Sequence, residues 1–223
     1  MAETTSHEAL FIDELRGEAR RYRDLADQAL AQVDDAGFVF TLDAESNSLA
    51  LIVKHVASNL RSRWTDFYAT DGEKPDRHRD REFELEPEDT RAALMARWEA
   101  GWSCLLETLD RMTPEDLSRT VVIRAEPHTV TRAALRSLAH TAGHVGQIVL
   151  LAKHVSSDRW RSLSIPRGQS EQVNAMMRER FAAANKKVIN VSTGRAGRAS
   201  ACGWPALPGR WSAPRDRGRP AAG

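Results

Sequence analysis

The chain has 223 residues, with 32 Lys and Arg against 31 Asp and Glu, 41% hydrophobic residues and 6% aromatic ones, which is the make-up of one ordinary globular domain rich in helix formers, with room for an appendage. No apolar run approaches the roughly 18 residues of a membrane span, no basic-then-apolar leader opens the chain, and the isolated cysteines Cys104 and Cys202 form neither a disulfide framework nor a zinc knuckle. A chain with neither a span nor a leader is expected to be cytoplasmic, and since residues 1–187 carry 26 basic against 30 acidic side chains, a specific nucleic-acid partner is not expected.

Residues 8–35 place Leu10, Phe11, Leu15, Tyr22, Leu25, Ala26, Ala29, Leu30 and Val33 at spacings of three and four, which predicts a first helix. A second runs over residues 46–68 with Leu49, Ile52, Val53, Val56, Leu60, Trp64 and Phe67 on one side, and Asp43, Ser46 or Asn47 is its expected cap. Residues 71–86 are dense in charge and broken by Gly72 and Pro75, so they read as a solvated connection. Pro87, Glu88 and Asp89 form a helix-start signal. The third helix then extends to about Met112 and buries Leu94, Trp98, Trp102, Leu105, Leu106 and Leu109. Cys104, within that pattern, reads as a core thiol.

Thr113 to Asp116 should cap one short turn, the β-branched run Thr120–Ile123 should be extended, and Pro127 should turn the chain into a small hairpin leaning on the helices. With Thr131 as its cap, a fourth helix spans residues 132–155, followed by a loop over 164–169 and a last helix over 170–184. From residue 188 the periodicity vanishes and Gly plus Pro reach 10 of 36 residues, against 12 of the preceding 187. This basic stretch should be disordered, and its Arg, Gly, Pro and Ala bias is that of GC-rich DNA translated in an unselected frame. The expectation is an all-α fold: a four-helix bundle over residues 1–187 with an extra C-terminal helix, a small hairpin before the fourth helix, and a disordered tail over 188–223.

His140 and His144, four apart on a helix, stack on one face about 5–6 Å apart and could share a metal. The spacing alone is common by chance. Gly143 and Gly146 interrupt the same helix at about 1 kcal/mol each relative to alanine, which calls for a compensating close approach of a neighbouring helix or a ligand. His55, in the middle of the second helix, reads on its own as a hydrogen-bonded core histidine, yet a third imidazole is what a helical pair needs. Three imidazoles would leave open the coordination positions of a catalytic site and would suit Zn²⁺, Ni²⁺ or Fe²⁺. Gln147 and Asn59, each one turn further along, are candidates for orienting the imidazoles. His7, His78, His128 and His154 are weaker candidates by position. No serine lies in a glycine-flanked elbow and no acid accompanies the histidines on their helices, which disfavours a nucleophilic triad.

The His55 helix, the long excursion, and then His140-Thr141-Ala142-Gly143-His144 with Gly146-Gln147 resemble the DinB-like (DinB/YfiT) superfamily of helical bundles over residues 8–184. The stretches NLRSRWTDFYATDGEK from Asn59, His140 to His154, and SLSIPRGQS from Ser162 are similar to one uncharacterised branch of it. The resemblance implies a four-helix bundle holding one divalent metal on His55, His140 and His144. It does not fix an activity: members of that superfamily include thiol-dependent transferases and isomerases alongside many of unknown role. Expected partners are therefore a low-molecular-weight thiol or another small substrate, with a homodimer among the allowed states. Arg61, Arg63, Asp66, Glu73 and Arg167 are candidates for gripping a polar substrate. The alternative is a non-catalytic module whose metal staples three helices, and beyond it an apo bundle whose histidines merely pack.

Overall fold

A computed structural model describes residues 6–182, which are mostly helical. The chain divides after Pro166 into two units, each considered by itself. The first holds helices α1 (His7–Leu30), α2 (Asp35–Val39), α3 (Leu49–Trp64), α4 (Arg91–Arg111) and α5 (Val130–Ser156), together with strands β1 (Thr120–Ile123) and β2 (Glu126–Thr129). The described part of the second holds helix α6 (Ser170–Arg180), none of whose residues is buried. The expected tail over 188–223, with Cys202, lies outside the described residues.

Helix α1 starts where the Ser6 hydroxyl accepts from the Ala9 amide (3.1 Å) and buries Ile12, Leu15, Ala19, Ala26, Ala29 and Leu30. It stops short of the expected residue 35. Arg91, arriving from α4, donates to the carbonyls of Leu30 (3.0 Å) and Val33 (2.8 Å), satisfying groups a continuing helix would have used. The chain then restarts as α2, capped by Asp34 through the Gly37 amide, with Phe38 buried.

Helix α3 is the centre of the first unit. Buried residues lie around much of its circumference, and it packs on both α4 and α5, while α1 packs on the same two helices. Its cap is Ser48, not Asp43, Ser46 or Asn47: only Ser48 is extended immediately before the helix, with its hydroxyl toward the Leu51 amide. The close α3–α4 approach falls at Gly101, where an added Cβ would stand 2.7 Å from the Ala57 carbonyl oxygen. By contrast, Gly143 and Gly146 on α5 face open space, so the close approach expected at those two glycines is absent among the described residues.

Three further local expectations change. Thr90, rather than the Pro87-Glu88-Asp89 signal, caps α4 through the Ala93 amide, because Asp89 is drawn inward onto the buried ammonium of Lys54 (2.6 Å). Thr129, not Thr131, caps α5 through the Arg132 amide, leaving the Thr131 hydroxyl to donate to the Leu117 carbonyl. Pro127 lies within β2, opposite Val122, and the hairpin turns instead at Arg124 and Ala125. Both of these residues have positive φ, the two-residue hairpin geometry usually given to Asn-Gly. The Asp71 carboxylate receives both turn amides at 2.8 Å and so offsets the backbone strain.

The largest departure concerns residues 71–86. Half of these residues are exposed, among them Pro75, Asp76 and His78 to Arg81, as a solvated connection would be, but the rest are not. Residues Arg79–Phe83 form a 3-10 turn against α3, with Glu82 3% exposed and the Arg77 side chain 4% exposed. Glu82 and Arg77 are satisfied by each other, by His55 and by Glu73, so these two charged side chains can be buried in a segment with almost no apolar residues.

Candidate metal centre

The centre is assembled from three elements. His55 projects from the middle of α3, His140 and His144 from successive turns of α5, and the 3-10 turn lays Phe83 against the His55 ring, centroids 5.0 Å apart. The three imidazoles form a group that could hold a metal ion, one nitrogen from each lying within 4.8 Å of the others. His140 Nε2 stands 3.3 Å from His55 Nε2 and 3.2 Å from His144 Nε2. Nitrogens bound at about 2.0–2.1 Å around a tetrahedral ion would be separated by roughly the same distance.

Tautomers set by the surroundings favour a cation. A carboxylate only accepts, so His55 Nδ1 must donate to Glu82 Oε2 (2.7 Å), which leaves His55 Nε2 a bare lone pair. His144 Nδ1 lies 2.8 Å from Gln147 Oε1 and donates in the same way, baring its Nε2. Between these two stands His140 Nε2, which can supply at most one proton to two lone pairs. His140 Nδ1 is buried without a partner among the described residues. The donor set thus fits a divalent ion better than it fits a hydrogen-bonded core.

Electrostatics favour the neutral form of the two α5 imidazoles. Burial, followed by the charges of His144, His55, Arg77 and Arg63, pushes His140 down to about 4 from 6.5. Burial also lowers His144, against an opposing hydrogen bond to Gln147. Burial would raise Glu82, but hydrogen bonds from His55 and Arg77 outweigh it and hold the carboxyl below its ordinary value. A neutral His140 and His144 beside an ionised Glu82 are states that suit metal binding.

Behind Glu82 lies a brace that sequence reasoning missed. Arg77 donates through Nε to Glu82 Oε1 (2.7 Å) and through a second nitrogen to Oε2 (3.0 Å), and it also reaches Glu73 (3.3 Å), which receives Arg63 and Arg124 as well (3.0 Å each). The missed signal was Phe83. It is the lone Phe, Tyr or Trp between Tyr68 and Trp98, an apolar anchor within a charged run.

The other sequence candidates scatter. Asn59 lines a cavity of about 210 Å³ that reaches His55 and His140, together with Arg63, Trp64, Phe67 and Ser137. Glu73 belongs to the brace. Arg61 pairs with Asp76 at the surface (2.9 Å), and Asp66, at positive φ, follows the end of α3 in an exposed position. Arg167 is an exposed residue of the second unit. His128 is buried in β2, and His154 is exposed and stacks on Phe40.

No curated protein matches the sequence. The pattern of the family described as "Protein of unknown function (DUF1572)" matches residues 6–169, a span that takes in the three histidines, Glu82 and the whole cavity lining. The chain belongs to the DUF1572 family.

Proposed function

We propose that the protein is a divalent-metal-dependent enzyme acting on a small molecule, with a low-molecular-weight thiol as the first candidate, and that its four long helices make it a DinB-like four-helix bundle. The observation that carries this reading is the cavity against His55 and His140. A purely structural staple would be closed and dry, whereas a catalytic site keeps an open position facing solvent. A bound ion would act as a Lewis acid and lower the pKa of a thiol or water brought to it.

The chain's own residues prepare that chemistry. Glu82 fixes the tautomer and direction of His55, and Arg77 fixes Glu82. Gln147 does the same for His144 with a neutral amide. Trp64, its indole N–H tied to the Ser137 hydroxyl (3.0 Å), and Phe67 give the cavity an apolar wall that excludes water from one side of a substrate. No described helix is long and apolar enough to cross a membrane.

Cobalt substitution followed by a panel of small thiols tests the proposal. A change in the visible spectrum on adding a thiol, absent in His140→Ala, is the expected result. A cobalt spectrum that no thiol or other small ligand perturbs would move the assignment to the metal-stapled, non-catalytic module.

A further inference from the structure

The cavity beside the histidines has a charge pattern that metal ligation does not use. Five arginines line it, Arg63, Arg77, Arg79, Arg124 and Arg136, and no Asp or Glu does. Arg63, Arg77 and Arg124 share the carboxylate of Glu73, and Arg77 alone reaches Glu82. Arg79 lies over the ring of Phe83 (5.2 Å), and neither it nor Arg136 has a carboxylate partner among the described residues. Three guanidinium groups therefore share two carboxylates, and two have none.

An isolated exposed arginine is ordinarily a solvated surface charge. Here the excess lines a concave site whose other wall is Trp64 and Phe67, where low-dielectric surroundings concentrate the potential. Guanidinium groups match the planar or trigonal oxygens of carboxylates and phosphates bidentately. Spacing along the helices sets a length. Arg136 precedes His140 by four residues on α5, about 6 Å of rise, and Arg63 follows His55 by eight on α3, about 12 Å. The volume of about 210 Å³ is below the roughly 300–1,000 Å³ usual for drug-sized ligands, so the occupant is a small metabolite.

We propose that the cavity binds its substrate through an oxyanion, a carboxylate or phosphate group, held by Arg79 and Arg136, with the reacting end of the same molecule at the histidines. The placement of the reacting end rests on the metal-enzyme reading above. The arginine subsite has its own readout.

Calorimetric titration of the metal-loaded full chain with inorganic phosphate and, separately, with succinate tests it. Metal content is measured on the same samples. The variants are Arg136→Gln, Arg79→Gln/Arg136→Gln, and Arg21→Gln on α1 as a control. Both subsite side chains are exposed, so the variants should retain the wild-type melting temperature. Saturable binding of one probe is expected, weakened about tenfold or more in the double variant and unchanged in the control. Phosphate as that probe names a phosphorylated substrate, and succinate a carboxylated one. Absence of saturable binding, or binding that is equal in the double variant while metal is retained, overturns the subsite alone. Arginine-dependent anion binding in a protein that takes up no metal would leave the subsite standing and overturn the enzyme reading.

Discussion

The two arms of the centre are held in different ways. On α3, His55 is 4% exposed and locked by a charged relay through Glu82 and Arg77 to Glu73. On α5, His140 and His144 are half-buried; His144 is oriented by a neutral amide and His140 Nδ1 has no partner among the described residues. The α3 arm depends on tertiary ion pairing, and the α5 arm on helix geometry alone. An imidazole held by ion pairs thus stands opposite two held only by their own helix.

That contrast is sharpest in what removal should cost. Arg77→Met leaves Glu82 ionised and uncompensated on its buried side, so a loss of about 3–5 kcal/mol is expected in denaturant unfolding, the usual cost of breaking a buried pair. A loss below 1 kcal/mol would show that the relay is slack. Glu82→Gln keeps an acceptor for His55 Nδ1 but removes the charge, and metal affinity should fall about 10–100-fold in a competition assay with a chromogenic chelator. Gln147→Ala should sit at or below the low end of that range. Equal effects of the two substitutions would erase the difference between the arms.

Acid should act on both arms in one direction. The His140 pKa is lower when folded, about 4 against 6.5, so between those values the unfolded chain binds the extra proton. The stability of the metal-free protein is therefore complete above about pH 6.5 and falls as pH drops toward 4. Glu82, also lowered by folding, adds stability above its unfolded value of 4.5 that is lost below it. Urea melts across this range should show a steady loss on acidification, shallower in His140→Ala. A wild-type profile that is flat from pH 7 to 4 would contradict the burial of a neutral His140.

The legibility of each region follows from the range of the forces that form it. His140 and His144 are neighbours because four residues make about one helical turn, a local fact written in the sequence. The long apolar stripes gave the helices for the same reason, down to the buried Leu94, Trp98, Trp102, Leu105 and Leu109 of α4. Helix limits were less legible where a distant group intervened, as Arg91 does at the end of α1 and Lys54 does at Asp89. A third helical histidine made the convergence of His55 with the α5 pair worth suspecting, but only family resemblance specified it, since it depends on how α3 packs. Glu82 was hardly legible: apart from Phe83, the run of Arg and Asp from residue 76 onward reads as solvated surface, and it is His55 from α3, together with Arg77, that lets Glu82 be buried. The arginine-lined cavity was hidden likewise, because its five guanidinium groups come from four separate stretches of chain.

The most direct measurement is the metal content of protein purified without a histidine tag, for the wild type, His55→Ala and His140→Ala. Close to one divalent ion per chain is expected in the wild type and its loss in both variants, with helical content retained. A wild-type protein that folds and binds no divalent metal, or variants that retain the full complement, would contradict it.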